Sequence, residues 1–459
     1  MANKTLKSTT FVIFGAGGDL STRKILPAIY KLVESKKLSK FCIIGLARTD
    51  RKFNDIIKEA KKHIKTSKKD QAKAKKIWEK IEQRSTYLSL DFNTESGYQQ
   101  LKETIHKLES RYNKTKNRLF YLATLPTQYQ NITKYLTKYQ IATKSSIKFS
   151  RIAYEKPFGT DQITAKKINK CINKVFHEKL VYRIDHYLGK ELVSNMALLR
   201  FTNRVLEPLW SNKHIEKVDI VMTEKLDIGK RGNFYDNYGA LKDVVQNHLL
   251  QLVALTAMEQ PKKLEAKYIR DQKVKVLQKT KIQSMQLGQY NKFTKVKGVK
   301  KNSKTDTFAA LKLTINNSRW RGVPFNIKTG KALNKKETYI DIKFKHIPCL
   351  LQSCPRETNH LRINIKDPNI TLKINSKLPG TKNQVIPISL KFSENLHFDQ
   401  NSPKAYENLI EQIIQGDQSA FVRSDEVEAS WKIIDAAIKK HKGKLLTYKK
   451  GSTGPKVPK

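Results

Sequence analysis

The chain has 459 residues and carries 90 lysine and arginine residues against 41 aspartate and glutamate residues, a formal net charge of +49. Hydrophobic residues make up 39% of the sequence, which is typical of a globular protein of two or three domains. No apolar run is long enough to span a membrane, and no apolar signal segment precedes the first predicted strand. These properties argue against a disordered or membrane-bound protein and favour the cytoplasm.

The N-terminal part of the sequence alternates strand and helix patterns, which predicts a parallel sheet with helical crossovers. A polar, lysine-rich helix is predicted from about Asn54 to Gln83. The predicted strands are Thr10–Phe14, Phe41–Leu46, Arg118–Ala123, Ser150–Tyr154 and Leu180–Ile184. We assign residues 1–185 to a Rossmann-like, dinucleotide-binding domain.

The remaining residues, 186–459, are predicted to form a larger α+β domain. Consecutive strand patterns separated by turn residues favour a mostly antiparallel sheet. A long apolar helix is predicted from Leu241 to Met258. The predicted strands are Phe308–Ile315, Glu337–Phe344, Leu361–Ile365, Ile370–Ile374 and Val385–Phe392, and two further helices are predicted at Ala405–Gln415 and Asp425–Lys440. The predicted fold class is therefore α/β followed by α+β.

The four cysteines, Cys42, Cys171, Cys349 and Cys354, do not predict a disulfide framework in a chain of this length. Cys349 and Cys354 are too loosely spaced for a zinc knuckle, and no pair of histidines completes such a site. We therefore expect no bound metal.

The first candidate site is a glycine-rich turn, Gly15-Ala-Gly-Gly18, between a predicted strand and a predicted helix. Such a turn lets backbone amides and a helix N-terminus approach a pyrophosphate without a clash from Cβ atoms. By itself the turn is a weak signal, because a tight connection between strand and helix has the same composition. Arg48 follows the second strand, where an arginine favours the 2′-phosphate of NADP, although a surface arginine is common.

A second candidate site is Tyr182-Arg-Ile-Asp-His-Tyr-Leu-Gly-Lys-Glu191, which combines cations, carboxylates and a histidine around one glycine. This composition suits phosphate binding beside a carboxylate that can orient a catalytic base. In Glu155-Lys-Pro-Phe-Gly159, Pro157 restrains Lys156 at the carboxyl end of a strand, where sites of α/β proteins lie. His248 lies on the apolar helix pattern, and a histidine there is more often a core residue than a base.

These segments together resemble the glucose-6-phosphate dehydrogenase family. Residues 183–191 match its signature RIDHYLGKE residue for residue. Further matches are the segments Gly15–Ala28, Glu155–Gly159, Lys242–Gln251, Lys328–Asn334 and Gly451–Pro455. The resemblance extends from about residue 11 to residue 455, and a chance match of this extent is negligible.

The resemblance implies an enzyme that oxidises D-glucose 6-phosphate at C1 to the 6-phosphogluconolactone while NADP accepts a hydride. It implies that His248 is the general base and that Asp185 orients it. The implied substrate residues are Lys156, His186, Tyr187, Lys190, Glu224, Asp243, Lys331 and Lys336. The implied cofactor residues are Gly15, Ala16, Gly17, Gly18, Asp19, Leu20, Arg48, Lys156 and Pro157. The family also assembles as homodimers or homotetramers through its antiparallel sheet.

Two alternatives stay open at the level of sequence. The first is a basic nucleic-acid-binding protein built on an inactive dehydrogenase scaffold, suggested by the charge of +49 and its peaks at Lys58–Lys80 and Lys292–Lys304. A diffuse excess of charge supports only non-specific binding, so we expect no specific nucleic-acid partner. The second alternative is an enzyme that prefers NAD or accepts several sugar phosphates.

Overall fold

A computed structural model describes residues 5–142, 150–348, 358–380, 384–393 and 405–455. Cys349 and Cys354 lie outside the described residues. The chain forms two compact units, one from Met1–Gly189 with Pro403–Ser424 and the other from Lys190–Ser402 with Asp425–Lys459. The sequence predicts a boundary at residue 185, whereas the compact units divide after Gly189 and the chain returns once to the first unit.

The first unit contains a sheet of seven strands. They are β1 (Thr9–Phe14), β2 (Phe41–Ala47), β3 (Ser85–Ser89), β4 (Arg118–Leu122), β5 (Ser150–Glu155), β6 (Val181–Ile184) and β15 (Phe421–Val422). The order is β15-β6-β5-β4-β1-β2-β3; β15 is antiparallel to β6, and all other pairs are parallel. The first six strands have the order of a Rossmann sheet, which confirms the predicted fold class and puts the switch point between β1 and β4.

Most helices of the first unit connect these parallel strands. They are a π-helical turn (Ser21–Ile25), α1 (Leu26–Glu34), α2 (Phe53–Lys61), α3 (Gln71–Gln83), α4 (Tyr98–Tyr112), α5 (Tyr129–Lys138), α6 (Gln162–Val175) and α12 (Ala405–Gln415), with short 3₁₀ turns at Lys68–Asp70, Pro126–Gln128 and Glu178–Leu180. The single helix predicted from Asn54 to Gln83 is wrong, because α2 and α3 are separate. The polar connection from Lys62 to Ser67 offers no apolar face that could be buried against the sheet.

The second unit contains a sheet of nine strands. They are β7 (Ile215–Thr223), β8 (Thr280–Tyr290), β9 (Phe308–Ile315), β10 (Phe325–Gly330), β11 (Glu337–Phe344), β12 (His360–Asn364), β13 (Asn369–Lys377), β14 (Val385–Ser393) and β16 (Leu446–Tyr448). Their order is β14-β13-β12-β11-β7-β10-β9-β8-β16. The β7–β10 and β8–β16 pairs are parallel and the others are antiparallel, which confirms the mostly antiparallel sheet.

The remaining helices belong to the second unit, apart from Ser424, which is the first residue of α13 and the last of the first unit. They are α7 (Glu191–Ser194), α8 (Met196–Phe201), α9 (Gly232–Ala240), a π-helix (Leu241–Leu249), α10 (Leu250–Ala257), α11 (Ala266–Lys279) and α13 (Ser424–Lys440), with 3₁₀ turns at Glu207–Leu209 and Phe293–Lys295. The helix predicted from Leu241 to Met258 is thus present, but its first half has π geometry. Among the described residues, no helix combines the length and the apolar character needed to cross a membrane.

Candidate active site

The glycine-rich turn lies at the carboxyl end of β1, the central strand of the Rossmann sheet. The amides of Gly15 and Ala16 both donate to the carbonyl oxygen of Leu46, at 2.7 and 3.0 Å. Gly15 has a φ of +87°, and a Cβ atom there would lie 2.4 Å from the carbonyl oxygen of Ala123. Only glycine fits at position 15, and a tight glycine turn between a strand and a helix is typical of a dinucleotide-binding site.

Gly18, Asp19 and Leu20 continue from the turn into the helical segment. The amide of Gly18 donates to the carbonyl oxygen of Gly15 at 3.0 Å, which closes the turn. Asp19 is exposed and forms a loose ion pair of 3.5 Å with Arg23 on the following turn. The helix N-terminus at this position carries the partial positive charge that a pyrophosphate requires.

Arg48 is exposed at the carboxyl end of β2, the neighbour of β1 in the sheet. A second arginine, Arg51, was not singled out by the sequence. Its Nη1 would lie 3.4 Å from a Cβ atom added to Gly17, and its Nη2 forms an ion pair of 2.7 Å with Glu59. Arg51 therefore reaches the glycine-rich turn, although no motif distinguishes it from other exposed arginines.

The carboxyl end of β5 carries a buried carboxylate next to Lys156. Glu155 accepts a hydrogen bond of 2.5 Å from the Tyr121 hydroxyl and one of 3.3 Å from the Tyr406 hydroxyl. Burial raises the pKa of Glu155 to about 7, although both hydrogen bonds favour the ionised form. Lys156 follows as a half-buried residue, and its peptide bond to Pro157 is cis.

The RIDHYLGKE segment begins on β6, where Arg183 is completely buried. Its Nη1 lies 2.6 Å from Glu178 Oε1, and its Nε donates to Asn169 at 3.2 Å. Asp185, directly after the strand, is buried, and its Oδ1 accepts a hydrogen bond of 3.0 Å from the backbone N–H of Tyr187. This contact closes a turn that carries His186 and Tyr187, whose ring centroids are 4.9 Å apart.

Tyr406, on α12, is a second residue that the sequence did not single out. Its ring stacks on that of His186, with centroids 6.5 Å apart and planes 18° from parallel. Because its hydroxyl also bonds to Glu155, Tyr406 connects the carboxyl end of β5 to the segment after β6. Gly189 brings α12 close, since a Cβ atom there would lie 2.6 Å from Leu409. Tyr406 lies more than 200 residues from these partners in the sequence, so no local pattern could reveal it.

In the second unit, Asp243 and His248 lie on the π-helix and are both buried. A π-helix bonds residue i to residue i+5, so residues five apart lie above one another on a common face. In an α-helix of 3.6 residues per turn, the same two residues would point in different directions. The π geometry therefore aligns Asp243 with His248, which the predicted regular helix would not do.

The start of this helical region is held by Asp306, a third residue that the sequence did not single out. Its Oδ2 accepts the backbone N–H of Leu241 at 2.7 Å. Gly239 has a φ of +63°, and a Cβ atom there would lie 2.6 Å from Asp306 Oδ1, so glycine is required. Burial raises the pKa of Asp306 to about 6. Asp306 thus caps the segment that carries Asp243 and His248.

Glu224 and Lys331 form a pair at the ends of the parallel strands β7 and β10. The Nζ of Lys331 lies 2.7 Å from Glu224 Oε1 and 5.8 Å from the centroid of the Tyr235 ring. The Lys331 side chain is 5% exposed, and that of Glu224 is 38% exposed. Lys336 is exposed further along the chain, while Lys190 is half-buried just before α7.

The fold and the site together define a class of protein. A Rossmann sheet whose first strand ends in a tight glycine turn is typical of a protein that binds a nicotinamide dinucleotide. The buried or half-buried carboxylates, histidines and lysines found in each unit are groups that move protons and bind phosphate. The protein is therefore a dehydrogenase that uses a nicotinamide dinucleotide.

Two protein-family models match the chain. The NAD-binding domain of glucose-6-phosphate dehydrogenase matches residues 12–195, and the C-terminal domain of glucose-6-phosphate dehydrogenase matches residues 197–459. The chain belongs to the glucose-6-phosphate dehydrogenase family, which confirms the resemblance seen in its motifs.

Individual relatives agree with the family models over nearly the whole chain. The chain is 39% identical to a glucose-6-phosphate 1-dehydrogenase of Chlamydia pneumoniae, over 99% of this chain and 94% of the relative. It is 37% identical to that of Bacillus subtilis, over 97% and 94%. The structure is similar to that of a glucose-6-phosphate dehydrogenase in complex with its substrate glucose-6-phosphate, with a TM-score of 0.90, 34% identity and coverage of 99% and 97%. It is also similar to the enzyme from Mycobacterium avium, with a TM-score of 0.83, 32% identity and coverage of 98% and 96%.

Proposed function

We propose that this protein oxidises D-glucose 6-phosphate at C1 to 6-phospho-D-glucono-1,5-lactone, the first oxidative step of the pentose phosphate pathway, with NADP as its cofactor. The proposal rests on the match of both family models, which together cover residues 12–195 and 197–459 and so almost the whole chain. The family membership lends no support to the alternative of a basic nucleic-acid-binding protein on an inactive scaffold.

The first unit would hold the cofactor. The turn from Gly15 to Leu20 would bind the pyrophosphate mainly through the helix N-terminus, because the amides of Gly15, Ala16 and Gly18 already donate to backbone carbonyl oxygens. Arg48, exposed beside that turn on the neighbouring strand, would bind the 2′-phosphate and so favour NADP over NAD. Lys156 and Pro157 would border the nicotinamide end at the carboxyl edge of β5. When bound, NADP supplies the hydride acceptor.

His248 would act as the general base and remove the proton from the C1 hydroxyl. The histidine is buried on a rigid helical segment whose start is capped by Asp306. An imidazole is suited to this transfer, because histidine is the side chain that most often accepts a proton in general base catalysis. Asp185 would orient the imidazole, since a buried carboxylate fixes the tautomer and stabilises the protonated ring.

The substrate phosphate needs several donors with positive charge. His186, Tyr187 and Lys190 would supply them from the RIDHYLGKE segment, and Lys156, Lys331 and Lys336 would add further cations. The sugar hydroxyls would donate to the carboxylates of Glu224 and Asp243. The mechanism thus assigns residues to both compact units.

We further propose that the protein assembles as a homodimer or homotetramer through its antiparallel sheet and works in the cytoplasm. The exposed residues of β14 support the assembly, since Leu390 is 52% exposed and Phe392 is 39% exposed on the same strand. Neighbouring exposed apolar side chains on a sheet are typical of a surface that is covered in an oligomer.

A spectrophotometric assay tests the proposal. The purified protein is mixed with glucose 6-phosphate and either NADP or NAD, and the reduced nicotinamide is followed by its absorbance. The variant His248→Asn, expressed and purified in the same way, shows how much rate comes from a contaminating host enzyme. Activity in the wild type that is absent from the variant supports the proposal, whereas equal rates in both preparations contradict it.

A further inference from the structure

The C-terminal segment Leu446–Pro455 packs against the loop that carries Lys331. We propose that this segment positions Lys331 for its substrate, and that Tyr448 is the central positioning residue, acting on the backbone of Lys331 rather than on the substrate. The inference rests on the proposed function, in which Lys331 binds glucose 6-phosphate.

A chain of hydrogen bonds ends on the Lys331 carbonyl group. The backbone N–H of Tyr290 donates to Thr307 Oγ1 at 2.9 Å. The Thr307 hydroxyl and the Tyr448 hydroxyl are 2.9 Å apart, and the Tyr448 hydroxyl donates to the Lys331 carbonyl oxygen at 2.8 Å. The Tyr448 hydroxyl also lies 3.1 Å from the Thr307 carbonyl oxygen, but its contact with Lys331 is shorter, so the order Tyr290 to Thr307 to Tyr448 to Lys331 gives each hydroxyl hydrogen one acceptor.

The same peptide region is also held from the other side. The backbone N–H of Lys331 donates to the carbonyl oxygen of Thr307 at 2.9 Å. Tyr448 is 4% exposed, and burial raises the pKa of its hydroxyl, which therefore remains protonated and able to donate. Both polar groups of the Lys331 backbone are thus fixed by one small network.

The residues after Lys331 explain why such support is needed. Ala332 has a φ of +53°, a conformation that a residue with a Cβ atom rarely adopts. The C-terminal segment stabilises this conformation, because the N–H of Gly451 donates to the Ala332 carbonyl oxygen at 2.7 Å. The N–H of Asn334 donates to the Ser452 carbonyl oxygen at 2.9 Å, and Leu333 forms a parallel bridge with Ser452.

The position of the Lys331 backbone determines where its ammonium group lies. The side chain is enclosed between Glu224 and the Tyr235 ring, so a shift of the backbone moves Nζ directly. A misplacement of about 1 Å can cost on the order of 10²-fold in activity when a group must meet its substrate in one geometry. Tyr448 can therefore affect substrate binding without touching the substrate.

Tyr448→Phe removes one hydroxyl and keeps the aromatic ring in place. We expect the KM for glucose 6-phosphate to rise about three- to tenfold, as for the loss of one hydrogen bond, while the KM for NADP changes less than twofold.

The control Tyr290→Phe removes a hydroxyl from the same aromatic cluster but keeps the backbone N–H that begins the chain of hydrogen bonds. The control should retain the KM of the wild type for both compounds. Thr307→Val, which breaks the chain one step earlier, should raise the KM for glucose 6-phosphate by a smaller factor.

A double-mutant cycle separates positioning from a general loss of stability. In the Lys331→Met background, Tyr448→Phe should add less than a twofold change in KM, because the side chain through which it acts is gone. The same factor in both backgrounds, or an unchanged KM in the single variant, would overturn the inference. A wild-type protein inactive toward glucose 6-phosphate would instead refute the proposed function, and that result is known before any variant is compared.

Discussion

Tyr121 donates a hydrogen bond of 2.5 Å to Glu155, a buried carboxylate that directly precedes Lys156. Burial outweighs the hydrogen bonds from Tyr121 and Tyr406 and raises the pKa of Glu155 from 4.5 to about 7. The residue next to a proposed substrate lysine therefore changes its charge within the physiological range of pH.

The raised pKa makes Glu155 a source of pH-dependent stability. The folded protein binds the Glu155 proton more tightly than the unfolded chain, so stability falls as pH rises from about 4.5 to about 7. A shift of this size corresponds to about 3 kcal/mol at pH 8. Glu155→Gln keeps an acceptor for Tyr121 without a charge, and its Tm at pH 8 should exceed that of the wild type by about 3 °C.

Thermal unfolding of both proteins at pH 5 and pH 8 tests this expectation. The exposed residue Glu103 provides the control, and Glu103→Gln should follow the wild-type curve at both values. If the Tm of Glu155→Gln falls as much between pH 5 and pH 8 as that of the wild type, ionisation of Glu155 does not destabilise the folded protein.

His248→Asn should lose most of its turnover while it still binds the substrate. The amide preserves hydrogen bonding, but it cannot accept the proton from the C1 hydroxyl. Loss of a general base typically lowers kcat by about 10²–10⁴-fold. Steady-state kinetics with glucose 6-phosphate provide the measurement, and a kcat within threefold of the wild type would remove His248 from this role.

Arg48→Ala should raise the KM for NADP much more than the KM for NAD. Only NADP carries the 2′-phosphate, and a hydrogen bond to a charged group contributes about 1.5–3 kcal/mol, or roughly 10- to 150-fold in KM. Lys52→Ala, which removes an exposed cation four residues further on, should change neither value by more than twofold. Equal losses with both cofactors would indicate that Arg48 supports the loop rather than binding the phosphate.

Leu390→Asp should dissociate the proposed oligomer. The substitution puts a charge on the exposed apolar surface of β14, which would have to lose water in an interface. Sedimentation velocity at micromolar concentration measures the change in mass. Ile163→Asp is the matched control, since Ile163 is 68% exposed on α6 and belongs to the first unit, whereas β14 belongs to the second. An unchanged mass for Leu390→Asp would exclude β14 from the interface.

The charge of +49 should produce only weak, non-specific binding to nucleic acid. The described lysines of the Lys58–Lys80 peak lie on α2, α3 and their connection, and most are exposed. Binding to duplex DNA should show no sequence preference and should collapse between low and physiological salt. Turnover at saturating substrate should change much less over the same range. Sequence-selective binding that persists at about 200 mM salt would support a second function.

The sequence alone determined the elements whose signals are local. The bounds of β9, β11 and α12 are those predicted from the sequence. Each of these elements buries apolar side chains that recur with the period of a strand or a helix. The turn at Gly15 was also predicted from the sequence, since a tight connection between strand and helix needs glycine at the position that faces Ala123. The family motifs identified the candidate residues for the same reason, as each motif occupies a short stretch of chain.

Features that depend on distant partners were decided only by the tertiary structure. β7 and β8 were not predicted, because apolar and polar residues do not alternate regularly along them. The return of Pro403–Ser424 to the first unit rests on contacts such as that of Tyr406 with Glu155, 251 residues away. The π geometry that aligns Asp243 with His248 is likewise absent from the sequence pattern, since the same apolar spacing suits an α-helix. In each case the contacts that stabilise the feature form only when the chain folds, and a local sequence pattern contains no information about them.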